Sequence, residues 1–183
     1  RSASKFHIER HDAKQCNFAT FYGASPWALK KHKLEFEMAK QFIAWIHSCY
    51  PDLRQAHEKI QKEAGRGQVQ NLFGRIRHTT SPTEGCNFPI QSVAGDFNKM
   101  MLIKTNELGK DFESKPYFDI HDELVFTVKK KEEKEYLSKV IIPAYDSLHE
   151  EVMRWFGVEL PLKFRYKIKI GPSYGQLEEV NLN

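Results

Sequence analysis

The stretch that decides the fold reads Arg10-His-Asp-Ala-Lys14-Gln-Cys-Asn-Phe18-Ala-Thr-Phe-Tyr22-Gly23. Four of its side chains recur at every fourth residue, and on a helix this spacing places them in one stripe that winds slowly around the axis. Two fixed cations, Arg10 and Lys14, come first, and two aromatic rings, Phe18 and Tyr22, follow. The pattern predicts a helix that ends near Gly23.

The length of this stripe suits a nucleotide. A rise of about 1.5 Å per residue separates Arg10 from Phe18 by about 12 Å, roughly the span from the outer phosphates of a nucleoside triphosphate to its base. A guanidinium suits bidentate contact with phosphate, an ammonium acts as a point charge or proton donor, and a ring packs on a base or sugar. The alternative interpretation is an amphipathic helix with a basic end and two core aromatics.

A second informative segment is Phe-Asp-Ile-His121-Asp122-Glu123-Leu-Val-Phe. The surrounding run, residues 117–128, is rich in aromatic and β-branched side chains, which favours strand on both sides of the polar centre. Adjacent acids in an apolar strand are costly unless they meet water, a cation or a metal. The pattern predicts a hairpin with two carboxylates at or near its tip, and a solvated turn is the alternative.

Together these segments resemble motifs B and C of the family A DNA polymerases, the bacterial DNA polymerase I type. Motif B there reads Arg-x3-Lys-x3-Phe/Tyr-x3-Tyr-Gly, and motif C reads His-Asp-Glu between hydrophobic strands. Three further segments are similar to family elements in the same order: Asn71-Leu-Phe-Gly74-Arg75-Ile-Arg77, Asn87-Phe-Pro-Ile-Gln91 and Ile168-Lys-Ile-Gly171-Pro-Ser-Tyr174. The resemblance therefore covers nearly all of the 183 residues.

The resemblance implies roles for the motif B residues. Arg10 and Lys14 would bind the triphosphate of an incoming dNTP, and Lys14 would also donate a proton to the leaving pyrophosphate. Phe18 would pack on the incoming nucleotide, and Tyr22 would stack near the templating base. A phenylalanine at position 18 in place of tyrosine implies discrimination against sugars that lack the 3′-hydroxyl.

Motif C implies metal-dependent phosphoryl transfer. Asp122 is expected to bind Mg²⁺ in a two-metal site near the primer terminus. Glu123 is a second candidate ligand, although strand alternation sends its side chain to the opposite face from Asp122.

Other residues are expected to hold the primer-template duplex. Asn87, Gln91 and His121 can donate hydrogen bonds to minor-groove acceptors, and Arg75 can contact a phosphate. Each has a structural alternative: Asn87 as a helix cap, Gln91 as an exposed helix residue, His121 as a turn residue and Arg75 as a salt-bridge site.

The family's motif A, an Asp-Tyr-Ser-x-Ile-Glu-x-Arg-like strand, precedes motif B and carries the other metal-binding aspartate. Residues 1–9 contain no aspartate. We therefore expect a companion polypeptide that carries motif A, the thumb and any 3′–5′ exonuclease.

The expected fold class is α/β (α+β), with a helical fingers subdomain over residues 1–83 and part of an antiparallel-sheet palm over residues 84–183. Apolar spacing and turn residues predict helices over residues 12–22, 26–31, 35–49, 51–64, 88–108 and 129–156. The predicted strands cover residues 69–73, 117–128 and 160–170.

Composition agrees with these expectations without deciding them. The net charge of +4 permits nucleic-acid binding. Cys16, Cys49 and Cys86 are odd in number and widely spaced, which favours reduced, buried or half-buried thiols and a cytoplasmic setting in a bacterial or phage-infected cell. No apolar stretch approaches the roughly 20 residues of a membrane span.

Two other functional classes compete with a polymerase. A non-catalytic nucleic-acid-binding module would require neither a metal nor the stripe of cations and rings. Another palm-type enzyme, such as a reverse transcriptase, typically shows a Tyr-x-Asp-Asp hairpin, and the His-Asp-Glu hairpin argues against it.

Overall fold

The computed structural model describes residues 2–81 and 84–180. The chain divides into two compact units, Arg1–Val93 and Ala94–Asn183. Residue 83, where the fingers subdomain was expected to end, lies outside the described residues. The boundary between fingers and palm therefore stays a prediction.

Helices make up most of the first unit. They are α1 (Ser2–Phe6), α2 (Arg10–Phe21), α3 (Pro26–Leu29), α4 (Phe36–Cys49) and α5 (Pro51–Ala64), and the 3-10 turn Lys30–His32 extends α3. A proline stands in the first turn of α3 and of α5, where its missing N–H costs no helical hydrogen bond. The predicted helices of this unit are confirmed.

One face of α2 packs against the core of the first unit and is buried. Ala13, Cys16 and Thr20 are buried on one side of the helix, and Cys16 packs in a cluster with Phe42 and other buried residues of α1, α3 and α4. The stripe that begins with Arg10 lies on the other side.

A short antiparallel hairpin follows α5, formed by β1 (Gln68–Gln70) and β2 (Ile76–His78). The predicted strand over residues 69–73 was wrong in its extent. The side-chain oxygen of Asn71 accepts hydrogen bonds from the backbone N–H groups of Phe73 and Arg75, each at 2.9 Å, and so turns the chain back after Gln70.

The long helix α6 (Phe88–Leu108) begins in the first unit and ends in the second. After it, β3 (Lys115–Ile120) and β4 (Glu123–Thr127) form the predicted hairpin. Because Ile120 pairs with Glu123, His121 and Asp122 are the two residues of the turn.

The predicted helix over residues 129–156 is interrupted. It forms α7 (Glu133–Tyr136), the π-helical segment Leu137–Ile141, α8 (Ile142–Asp146) and α9 (Leu148–Phe156). Pro143 has no N–H and crowds the preceding turn, which accounts for the wider π-helical segment before it.

The charge run at residues 129–135 is only partly solvated. The carboxylate of Glu132 is half-buried and accepts hydrogen bonds from the N–H and hydroxyl of Ser114, at 2.9 and 2.7 Å. These bonds tie the start of the interrupted helix to the segment just before β3.

The predicted strand over residues 160–170 was also too long. Only β5 (Ile168–Ile170) forms, and it pairs with β6 (Glu178–Val180), which the sequence pattern did not predict. Leu162 alternates correctly but is 79% exposed. Alternation alone does not make a strand, since a strand also needs a partner for its backbone groups.

One buried cluster of the second unit is formed by Tyr136, Val140, Ile141 and Ile168. The mixture of helices and small antiparallel sheets confirms the predicted fold class. Among the residues that the structure describes, no helix has the length and apolar content needed to cross a bilayer.

Candidate active site

The stripe of motif B residues lies on the outer face of α2. Arg10, Lys14 and Phe18 are exposed and Tyr22 is half-buried, while the opposite face of the helix packs in the core. Phe18 is 47% exposed, so the interpretation of this ring as a core residue was wrong. The helix therefore presents its cations and rings to solvent.

Three members of the stripe are stacked along the helix. The ammonium nitrogen of Lys14 lies 5.8 Å from the centroid of the Phe18 ring. The rings of Phe18 and Tyr22 are 6.4 Å apart at an interplanar angle of 22°. Lys14, Phe18 and Tyr22 thus contact one another in sequence and form one continuous surface of a cation and two rings.

The charge of this surface is not neutralised locally. Asp12 forms a salt bridge with Lys33 at 3.2 Å. Within residues 2–81 and 84–180, no carboxylate pairs with Arg10 or Lys14. Two fixed cations on an exposed helix face are suited to an anionic ligand.

The carboxyl end of α2 is held by close packing. Gly23 adopts φ +75°, and a Cβ atom there would lie 2.8 Å from both Cβ and Sγ of Cys86. His57, 7% exposed, donates a hydrogen bond from Nε2 to the carbonyl oxygen of Phe21 at 3.0 Å. The glycine of motif B is thus required by conformation and by space.

The tip of the β3–β4 hairpin exposes the motif C residues. His121, Asp122 and Glu123 are all exposed, and His121 adopts φ +52°. Its carbonyl oxygen accepts a hydrogen bond from Nδ2 of Asn98, on α6, at 3.0 Å. The structure confirms the hairpin and places an exposed carboxylate in its turn.

The two neighbouring acids have different surroundings. Glu123 accepts a hydrogen bond from the hydroxyl of Tyr174, in the 3-10 turn Tyr174–Gln176, at 3.1 Å. The described part of the chain provides no hydrogen bond or ion pair for the carboxylate of Asp122. Asp122 is therefore the freer of the two to bind an external ligand.

The remaining predicted residues lie in the first unit. Asn87 precedes α6, and its buried Oδ1 accepts no hydrogen bond from any described residue, which disfavours the role of side-chain cap. Gln91, one turn into α6, is exposed. Arg75 is exposed in the turn before β2, and the neighbouring Arg77 pairs with Glu84 at 3.3 Å.

A complete metal site does not lie within the described residues. Among them, no group of three or more histidine, cysteine, aspartate or glutamate side chains is positioned to hold a metal ion. Asp122 is an exposed carboxylate with the chemistry of a single Mg²⁺ ligand.

The sequence pattern did not indicate the residues that hold each motif in place within its own unit. These are His57 and Cys86 beside the end of α2, and Asn98 and Tyr174 beside the β3–β4 hairpin. The sequence carried no signal for Asn98, because its burial, which makes a hydrogen-bond partner necessary, follows only from how α6 packs.

Comparison with known proteins agrees with the motifs. A family model described as "DNA polymerase family A" matches residues 4–176. The thermostable DNA polymerase I of Thermus filiformis is 28% identical, over 74% of this chain and 18% of its own length. The DNA polymerase I of Bacillus subtilis is 28% identical, over 90% of this chain and 19% of its own length.

A solved structure shows the same fold. The POL domain of Pol1 from M. smegmatis, in complex with DNA primer-template and dNTP, superposes with a TM-score of 0.67 at 21% identity. The superposition covers 81% of this chain and 30% of that one. The chain spans less than a fifth of the length of the two bacterial relatives named above. With a family model matched across residues 4–176, the chain belongs to DNA polymerase family A.

Proposed function

We propose that this chain is part of a template-directed DNA polymerase that adds dNTPs to a primer 3′ end. The proposal rests on the exposed stripe of Arg10, Lys14 and Phe18 on α2, whose two cations pair with no carboxylate of the described residues. An exposed ring forgoes the apolar burial available in a core, and beside two unpaired cations it is suited to packing on a ligand.

The α2 residues act on the incoming nucleotide. The guanidinium of Arg10 binds phosphate oxygens in a bidentate geometry, and the ammonium of Lys14 stabilises charge that develops on the phosphates. Lys14 also donates a proton to the leaving pyrophosphate. Phe18 packs on the nucleotide, and Tyr22, stacked behind it, lies near the templating base.

Asp122 supplies one carboxylate to a Mg²⁺ site. Bound Mg²⁺ would supply Lewis-acid activation of the primer hydroxyl and charge stabilisation of the leaving group, and Asp122 would be one of the residues that hold it. The described residues fit only part of such a site, because Asp122 is exposed without a second free carboxylate held beside it. Glu123 is tied to Tyr174 and fits less well as a ligand.

A second carboxylate would come from a companion polypeptide that carries motif A and the thumb. Two features of the hairpin support this proposal. In the described part of the chain, β3 and β4 pair only with each other, so each has an unpaired edge. Tyr117 on β3 is 72% exposed, which suits a face that another segment covers.

The duplex is held by residues at the start of α6 and just before it, and by residues of the two hairpin turns. Asn87, Gln91 and His121 read minor-groove acceptors that all correct base pairs share, and Arg75 contacts a backbone phosphate.

Primer extension by the chain together with its companion polypeptide tests the proposal. Asp122→Ala should abolish extension in Mg²⁺ while leaving duplex affinity largely unchanged, because it deletes a metal ligand rather than a duplex contact. Asp119→Ala, which removes an exposed acid of β3, is the matched control and should extend normally.

Lys14→Ala should slow extension by about 10²- to 10⁴-fold. Lys40→Ala is its control, because the ammonium of Lys40 lies over the Phe36 ring at 4.6 Å in a similar cation–π contact on α4. Near-native extension by Asp122→Ala would contradict the proposal. Duplex binding with no extension by the unmodified assembly would favour the non-catalytic binding module instead.

A further inference from the structure

The turn that carries Asp122 has an unusual residue at its first position. His121 adopts φ +52°, and Asp122 does not share the positive φ. In a two-residue hairpin turn this pattern favours glycine at the first position. A residue with a side chain persists in such a conformation where its surroundings hold it there.

Asn98 is the residue that holds it. Its side chain is 7% exposed, and Nδ2 donates to the His121 carbonyl oxygen at 3.0 Å across 23 residues of sequence. A carbonyl oxygen only accepts hydrogen bonds, so the amide nitrogen of Asn98 must face it. That carbonyl belongs to the planar peptide that joins His121 to Asp122. The hydrogen bond therefore fixes the orientation of this peptide plane, and with it the position of the Asp122 Cα atom, which lies in the plane.

We infer that Asn98 is a positioning residue for Asp122, which orients the His121–Asp122 peptide so that the Asp122 carboxylate is presented to Mg²⁺. The inference rests on the proposed polymerase function. Asn98 touches neither metal nor nucleotide in this role. It acts through the backbone, as residues that orient metal ligands do.

The test uses the chain assembled with its companion polypeptide. Asn98→Leu keeps a side chain of similar length but removes the donor, and Asn98→Asp keeps the volume and replaces the donor with an acceptor. Thr105→Val is the matched control on α6, because among the described residues the Thr105 hydroxyl bonds only to carbonyls of its own helix, at 2.7 and 3.1 Å. Asn98→Gln, which retains an amide, serves as the rescue variant.

Primer extension at saturating dNTP is measured against Mg²⁺ concentration, together with the dNTP KM and the duplex Kd. We expect Asn98→Leu and Asn98→Asp to raise the Mg²⁺ midpoint and lower kcat, by about 10- to 100-fold combined. The dNTP KM should stay within about twofold, because the contact acts on a metal ligand rather than on nucleotide binding. The duplex Kd reports separately how far the His121 side chain is displaced. Thr105→Val should leave the midpoint unchanged, and Asn98→Gln should recover part of the loss.

Amide hydrogen exchange at Asp122 and Glu123, in the same assembly without Mg²⁺, DNA or dNTP, supplies a readout that does not depend on activity. Faster exchange at these amides in both Asn98 variants is expected. Faster exchange with an unchanged Mg²⁺ midpoint would reduce Asn98 to a structural contact and overturn the inference, as would unchanged exchange in a folded variant. Near-native extension by Asp122→Ala would instead overturn the proposed function itself.

Discussion

The hydroxyl of Tyr174 donates a hydrogen bond to the carboxylate of Glu123 at 3.1 Å, across 51 residues of sequence. The Tyr174 ring also lies 6.0 Å from that of Phe118 on β3, so the tail of the chain contacts the hairpin twice. The two adjacent acids, Glu123 and Asp122, therefore differ in their hydrogen bonding. Glu123 is engaged within the chain, and Asp122 is left for an external ligand.

Glu123→Gln should lower the pKa of the Tyr174 phenol. The hydrogen bond to Glu123, followed by the negative charge of that carboxylate, raises this pKa, because loss of the proton would place two anions together. Without the charge, the pKa should fall toward its ordinary value near 10. NMR titration of labelled tyrosine measures it, and Tyr174→Phe assigns the signal. A titration midpoint that does not move in Glu123→Gln would contradict the contact.

Gly23→Ala should destabilise the first unit by about 2–5 kcal/mol. Positive φ costs an alanine about 1–2 kcal/mol, and overpacking costs about 1–3 kcal/mol more. The added Cβ would lie 2.8 Å from two atoms of Cys86. Denaturant unfolding measures the change.

Gly157→Ala is the control for this prediction. Gly157 has a similar φ of +64°, and a Cβ there would meet no atom within 4 Å. It should therefore show only the conformational cost of about 1–2 kcal/mol. An equal decrease in the free energy of unfolding in the two variants would mean that Cys86 moves aside without an energetic cost.

The sequence predicted local features well and distant contacts poorly. Helix bounds such as Pro51–Ala64 follow from apolar spacing, a proline and a following glycine, all within a few residues. The spacing of Arg10 to Tyr22 also predicted a stripe, but it left open whether Phe18 faces the core. That question was decided by Cys16 and its neighbours from other helices.

Contacts between distant residues could not be predicted from one sequence. The bond from Asn98 to His121 and the bond from Tyr174 to Glu123 depend on where whole elements pack. The prediction of a strand over residues 160–170 was wrong in extent for the same reason. The apolar alternation of these residues does not determine which segment pairs with their backbone. The two-residue turn at His121 and Asp122 was predictable because its pairing is local.

The first unit should lose stability as the pH falls below about 6.5, because of His47. Its Nε2 atom is buried with no hydrogen-bond partner among the described residues, and its ring lies 5.7 Å from that of His57. Burial, then the charges of His57 and Arg54, lower the pKa of His47, and Glu58 opposes them. The unfolded chain therefore takes up a proton at a higher pH than the folded chain, and stability falls as the pH drops from 6.5 toward the lowered value.

Urea unfolding between pH 5 and 8 checks this prediction. His47→Gln should flatten the dependence in this range, because it removes the group that titrates. Ser48→Ala, at the next position of α4, removes no group that titrates in this range and should leave the dependence unchanged. The same slope in wild type and His47→Gln would assign the dependence to another group.

The last prediction concerns the choice of ring at position 18. Phe18 has no hydroxyl, so it offers no hydrogen bond to replace the one lost when a nucleotide lacks its 3′-hydroxyl. Phe18→Tyr supplies that group with nearly the same packing volume. Discrimination against ddNTPs should fall by about 10- to 10³-fold, while the rate of dNTP incorporation changes little.

The exposure of Phe18 makes this test selective. At 47% exposure, the added hydroxyl is not forced into a core, so stability should change by less than about 1 kcal/mol. Phe36→Tyr adds a hydroxyl to another ring of the same unit, one that packs on Trp27 with centroids 4.4 Å apart, and should leave nucleotide selectivity unchanged. Competition between dNTP and ddNTP in the assembled enzyme gives the ratio for each variant. If the ratio of ddNTP to dNTP incorporation does not change in a well-folded Phe18→Tyr enzyme, the ring at position 18 does not contact the nucleotide sugar. The motif B assignment at this position would then be wrong.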